Sequence, residues 1–187
     1  ALGDSTAKAA GRLTLNPLRH LDPVGSLLVP LLSFLLGGIV IGWARPVPYN
    51  PYYFRMRNRE LGAAMVGAAG PAATLLVAVI FGFALRAMSA ASVFLGAAAA
   101  PLGAALGVVV LTNLVLAVFN LVPIPPLDGS KLLFWFLPEG WLAIKLFLDQ
   151  FGFVLLLFFI FYGSAWILPV VAFLFRVLVG SVGLPSG

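Results

Sequence analysis

The residue best placed to do chemistry is Asp128. It sits in Asn120-Leu121-Val122-Pro123-Ile124-Pro125-Pro126-Leu127-Asp128-Gly129-Ser130, directly after forty-one positions, 87 to 127, that carry no charged side chain. An ionisable group at membrane depth costs about 2.5–3.5 kcal/mol on insertion scales, and so marks a functional candidate. The prolines break a helix and Gly129 permits unusual backbone angles, so the carboxylate is presented from an irregular segment. Such backbone is tolerated at that depth only where protein covers it or where it lines a wet cavity. A second reading makes Asp128 simply the N-cap of a helix starting at Ser130-Lys131. On the residues alone, both stand.

Other chemistry is sparse. There is no cysteine, which excludes a disulfide framework and a thiolate metal site, so a metal would need oxygen or nitrogen ligands. The single histidine, His20, could be a substitute ligand or a proton carrier with Asp22. The reading preferred here is a polar interfacial residue in a turn bounded by Asn16-Pro17 and Asp22-Pro23. One imidazole in a turn supports no Ser/His/Asp set, and no glycine-rich phosphate loop follows a strand. Arg45-Pro46-Val47-Pro48-Tyr49-Asn50-Pro51 reads by propensity as extended chain and turns.

The elements that must position these residues are set by composition. Of 187 residues 62% are hydrophobic and 9% charged, with mean hydropathy +1.11. A soluble domain carries about 25% charged residues, and a disordered chain has low hydrophobicity, so both are excluded. The bilayer is the solvent. The net charge of +5 is spread thinly between apolar runs rather than massed on one face, which argues for membrane-flanking basic residues and against nucleic acid.

A helix crosses the roughly 30 Å hydrocarbon core with about 20 apolar residues. Uncharged stretches of that size run over 24–44, 61–85, 87–127 and 150–175. The first contains Pro30 and Gly37-Gly38, and either crosses the membrane or re-enters. The second carries a small-residue surface around Gly67, Gly70-Pro71 and Ala72-Ala73 that admits a neighbouring backbone closely. The third divides into a connection over 89–101 and a helix over 102–121, ended by the prolines. In the last, Pro169 is the expected kink. Nothing at the N-terminus reads as a signal peptide. Arg45, Arg55, Arg57 and Arg59 put their loop on the cytoplasmic side, the uncharged 89–101 connection outside, and Asp128 toward the cytoplasmic face. Tyr49, Tyr52, Tyr53, Trp43, Trp135 and Trp141 fall near segment ends, as an interfacial aromatic belt would. The expected fold is an all-α, polytopic transmembrane helix bundle forming one domain over 1–187, with a short extended loop.

Asn120-x-x-Pro123-x-Pro125-Pro126-Leu127-Asp128-Gly129 resembles the Asn-Pro-Asp-Gly motif of the site-2 proteases, intramembrane zinc metallopeptidases that cleave transmembrane helices. Gly11-Arg12-Leu13-Thr14-Leu15-Asn16-Pro17 to His20-Leu21-Asp22-Pro23-Val24-Gly25, Gly42-Trp43-Ala44-Arg45-Pro46-Val47-Pro48-Tyr49-Asn50-Pro51 and Ala69-Gly70-Pro71-Ala72 resemble the short bacterial and archaeal branch of that family, in the same order. The resemblance implies that Asp128 is a Zn²⁺ ligand, that Asn120 holds the scissile carbonyl or its oxyanion, and that Pro46, Val47, Pro48 and Asn50 lie beside the site, where an extended edge could pair with an unwound substrate strand. It also implies a prokaryotic plasma-membrane protein acting on a transmembrane protein substrate.

The family's His-Glu-x-x-His helix, which supplies two ligands and the general base, has no match in a chain with one histidine. A Gly-Asp resembling Gly3-Asp4 follows that helix in the family, so the expectation is a chain lacking its first helix and inactive by itself. Two rivals accompany this reading. One is a non-catalytic relative that binds transmembrane helices in the same groove, and the other is a small transporter subunit. A transporter predicts paired broken helices in related halves, and no internal symmetry is found. Substrate identity and oligomeric state leave no signal in the sequence.

Overall fold

The computed structural model describes residues 3–14, 16, 21–37, 48, 50–56, 58–90 and 96–180. Among them the regular structure is entirely helical, as the hydropathy pattern requires. The chain divides into two compact units, Ala1–Gly62 and Ala63–Gly187.

In the first unit, α1 (Thr6–Ala9) is a single turn. A π-helical turn, Pro23–Leu28, runs into α2 (Val29–Gly37). Asp22 starts this helix. Its carboxylate accepts the N–H groups of Val24 and Gly25, each at 2.9 Å, and its own N–H donates to the Ser26 hydroxyl at 3.1 Å. Pro23 follows, at a position where a helix loses nothing by a missing N–H. Asp22 therefore acts as a helix cap. His20 and residues 38–47 lie outside the described residues, and with them the question of whether 24–44 crosses or re-enters. A short 3₁₀ turn, Pro51–Tyr53, precedes the start of α3 (Arg59–Ala90). Asn58 caps that helix, accepting the N–H of Leu61 at 3.0 Å. The Phe54 ring is buried against Gly62, where a Cβ would come within 2.4 Å of it.

The second unit holds the long helices. After a 3₁₀ turn at Gly96–Ala98 comes α4 (Ala99–Asn120), then α5 (Gly129–Phe136), α6 (Leu142–Phe158) and α7 (Ile167–Val179). α3 is 32 residues long and carries Pro71 without interruption. Among the described residues, three stretches are long and apolar enough to cross a membrane: Arg59–Ala90, Gly96–Asn120 and Leu142–Val179. The core joins α3, α4 and α7 through Ala78, Leu85, Val110, Leu114, Ile167, Val171, Phe175 and Val179. Outward-facing Phe153, Phe161 and Leu168 stay exposed, as lipid contact permits. Small residues set the close approaches, with Gly82 against Leu178 and Gly103 against Met88. The protein is an all-α membrane protein.

The last stretch corrects one expectation. The helix breaks before Pro169, through a π-helical turn at Phe159–Gly163 and a 3₁₀ turn at Ser164–Trp166. Pro169 then lies in the first turn of α7, where no intrahelical donor is required of it, so it disrupts nothing.

Candidate active site

The segment between α4 and α5 is built from tight turns. The N–H of Leu121 donates to Ala117 O at 3.1 Å and that of Val122 to Phe119 O at 3.1 Å, closing α4. Successive turns follow, with Ile124 N–H on Val122 O at 2.9 Å and Leu127 N–H on Ile124 O at 2.9 Å. The Pro125-Pro126 bond is cis. Ser130, buried, donates its hydroxyl to Leu127 O at 2.7 Å. Pro125, Leu127, Gly129 and Ser130 are buried while Leu121, Pro123 and Pro126 are exposed, so protein covers part of the irregular segment, chiefly where it enters α5.

Glycines make that cover possible. A Cβ on Gly129 would lie 2.2 Å from Leu121 O and 2.6 Å from Val122 O, and one on Gly152 of α6 would lie 2.7 Å from Pro125 O. Gly129 is not among the glycines with positive φ. Close backbone approach is the reason for glycine there, and the expectation of unusual angles is corrected. From α3, a Cβ on Gly67 would meet Asp128 O at 2.8 Å, and one on Gly70 would meet Asp128 Oδ2 at 2.9 Å. The small-residue surface of α3 is thus the wall against which Asp128 rests.

Asp128 occupies the N-cap position of α5, but its side chain makes no capping hydrogen bond. Instead Oδ1 takes the Lys131 ammonium at 2.7 Å, with 31% of the Asp128 side chain exposed. The carboxylate is therefore committed to a charge and open to solvent, which a plain helix cap would not be. Lys131 escapes a reading by motif, although an acidic and a basic residue three apart at a helix start are themselves the signal. Gly152 is likewise missed, hidden in a Phe/Leu-rich helix.

Asn120 ends α4, and its Nδ2 donates to Leu116 O at 2.8 Å. One of its two amide N–H groups is thus used by the helix. Asn113 repeats this bond two turns earlier on the same side of the helix, with Nδ2 to Val109 O at 2.8 Å. Of the four residues expected at a substrate edge, Pro46 and Val47 lie outside the described residues. Pro48 is exposed. Asn50 has its N–H on Asp4 Oδ2 at 2.8 Å and its C=O taken by the Tyr53 N–H at 3.1 Å, so strand pairing at that residue competes with two internal hydrogen bonds.

For a metal, the described residues supply Asp128. No three of His, Cys, Asp and Glu come together among them, and one carboxylate already paired with a lysine does not make a zinc site, which takes three or four protein ligands.

A partly buried turn between apolar helices, preceded by a helix-terminal asparagine and holding a partly open carboxylate, defines the class: a membrane protein with a polar site among its helices. Comparison with known proteins gives the family. The family model for Peptidase family M50 matches residues 92–159, which include α4, Asn120, Asp128 and α5. YwhC of Bacillus subtilis (strain 168), named as a candidate zinc metalloprotease, is 39% identical over 156 residues, 83% of this chain and 67% of that protein. Rip2 of Mycolicibacterium smegmatis (strain ATCC 700084 / mc(2)155), named likewise, is 38% identical over 130 residues, 68% of this chain and 45% of that protein. The chain thus spans two thirds of one relative and under half of the other. No solved structure gives a significant match. The chain belongs to peptidase family M50, the site-2 protease family.

Proposed function

We propose that the intact protein is an intramembrane endopeptidase, zinc-dependent, that cleaves transmembrane or membrane-proximal segments of other proteins from the cytoplasmic side of the prokaryotic plasma membrane, with 1–187 as part of one peptidase-like domain. The observation that carries the reading is the half-open Asp128 carboxylate, set in covered, turn-rich backbone against Gly67 and Gly70. Zinc is implied by the names of the relatives. Asp128 would serve as one ligand, and the other ligands are not among the described residues.

The roles of this chain's own residues follow from what the reaction needs. A transmembrane helix has its carbonyls paired, so cleavage requires a local stretch of unpaired backbone held in place. The segment over Pro46, Val47, Pro48 and Asn50, whose prolines favour extended chain by propensity, would hold such a stretch by main-chain pairing. Asn120 would donate its free amide N–H to the scissile oxygen, where a neutral donor works well in a dry site. The glycine-lined packing around Pro125, Asp128 and Gly129 keeps the carboxylate in one place.

The test is cleavage of a transmembrane reporter peptide by the intact protein in liposomes. Wild type should release product, chelation should stop it, and Asp128→Ala should lower kcat/KM by on the order of a thousand-fold or more with the fold unchanged by circular dichroism. Substrate binding without cleavage in wild type would favour a helix-binding, non-catalytic relative instead.

A further inference from the structure

The cleavage reaction uses Asn120, at the end of α4, and makes no use of Asn113 in the interior of the same helix. The two are two helical turns apart, about 10 Å along the axis and within about 20° around it, so their side chains lie on one side. Each donates from Nδ2 to the carbonyl four residues back, at 2.8 Å. That bond takes one amide N–H of Asn113. Its second N–H and its Oδ1 find no partner among the described residues. No side-chain oxygen or nitrogen among those residues is both buried and unpartnered, so Oδ1 of Asn113 is open to the surface. Val109, Asn113, Leu116 and Asn120 form a stripe that is half-buried or exposed, next to the buried line Val110, Leu114 and Ala117 that meets the core.

An unpaired carboxamide is costly in the interior of an apolar stretch, where hydrocarbon offers no hydrogen bond. Side chains of this kind join transmembrane helices by bonds across the contact. We propose that Asn113 is a specificity-determining residue, which pairs with an uncharged polar side chain, an amide or a hydroxyl, on the transmembrane segment being cleaved. The inference rests on the protease reading and on Asn120 holding the scissile carbonyl. A segment held at Asn120 and running along α4 passes Asn113 on the same stripe. Where that segment is still helical its backbone groups are already paired, so a side chain is what it can offer. With the same rise per residue in both helices, that side chain belongs about seven residues from the scissile bond, on the part lying alongside the interior of α4. One acceptor and one donor on Asn113 match an amide or a hydroxyl and give a carboxylate or an ammonium no counter-charge.

The experiment uses reporter peptides with a Leu/Ala transmembrane segment that carry either no polar residue or a single Gln, placed at successive positions about three to ten residues from the scissile bond. Binding and cleavage by the intact protein in liposomes are measured separately. Expected for wild type is a KM about three- to ten-fold lower with Gln near the seventh position than for the all-apolar peptide, with kcat within about two-fold. Asn113→Leu should erase that preference and leave the all-apolar peptide unaffected, and Asn113→Gln should keep part of it. Should Asn113→Leu not fold, Asn113→Ala carries the same expectation, and the positional preference of wild type is a test that needs no variant. Cleavage by wild type without the preference, or a preference that survives in Asn113→Leu, overturns the inference and leaves the protease reading intact. So does a KM raised equally for every peptide, which would make Asn113 a structural residue. Self-association lost in Asn113→Leu with every KM unmoved also overturns it, and gives the stripe to a second copy of the chain. Wild type that binds with the preference and does not cleave overturns the protease reading and supports the contact at Asn113.

Discussion

In the first unit the breaks between helices are closed by side chains: Asp22 and Asn58 cap their helices and Asp4 ties down Asn50. In the second unit the break between α4 and α5 is closed by the absence of side chains, with Gly129, Gly152, Gly67 and Gly70 letting backbone lie on backbone. The two devices suit different solvents. Near water a polar side chain can be desolvated cheaply and exchange partners. Among apolar helices each unpaired polar group costs several kcal/mol, so the safer device is to bring the chain close enough to satisfy itself. One unit is held by exchangeable bonds and the other by shape.

Substitutions can break this contrast at either end. The largest effect is expected at Gly129→Ala, where the added methyl meets the backbone of Leu121 and Val122 and no flexible side chain can yield. It should cost about 3 kcal/mol or more, read as a lower melting temperature in detergent. A variant as stable as wild type would show that the turn can shift and that shape is not what holds it. A smaller effect is expected at Asp22→Ala, about 1 kcal/mol from loss of the cap, with Asp22→Asn retaining most of it. Equal losses in the two variants would mean that charge, not capping, is at work there.

The smallest effect is pH-dependent and belongs to Asp4. Its folded pKa is lowered, so its contribution is fully present above the usual 3.8 and is lost as pH falls through the lower folded value. The protection factor of the Asn50 amide should therefore stay level from neutral pH down to about 4 and fall only below that. A decline already near neutral pH would point to a different group.

Much of this organisation could be read in advance. The apolar runs define the long helices, and the prolines after Asn120 end α4 within a residue of the expected point, because a missing N–H and a ring clash act locally. Asp128 was visible as a lone carboxylate after forty-one uncharged positions. The role of Gly129 was not, since a tight backbone approach and a positive φ demand the same residue and only coordinates tell them apart. Pro169 misled for a related reason: proline breaks a helix from its interior but is harmless in the first turn, and where that turn falls depends on the preceding π-helical and 3₁₀ residues. Lys131 and Asp4 are missed because each has a partner that reading by motif does not supply. One of those partners is three residues away and the other is 46, and no periodicity marks either.

The Asp128–Lys131 pair also bears on how the protein is made. Both charges belong to one short stretch at the start of α5 and meet at 2.7 Å, so they can neutralise each other as soon as that stretch leaves the ribosome. A carboxylate whose counter-ion lay on another helix would have to enter the bilayer alone and wait. Here the electrostatic cost of insertion is offset locally, and the order in which the surrounding helices arrive is left free.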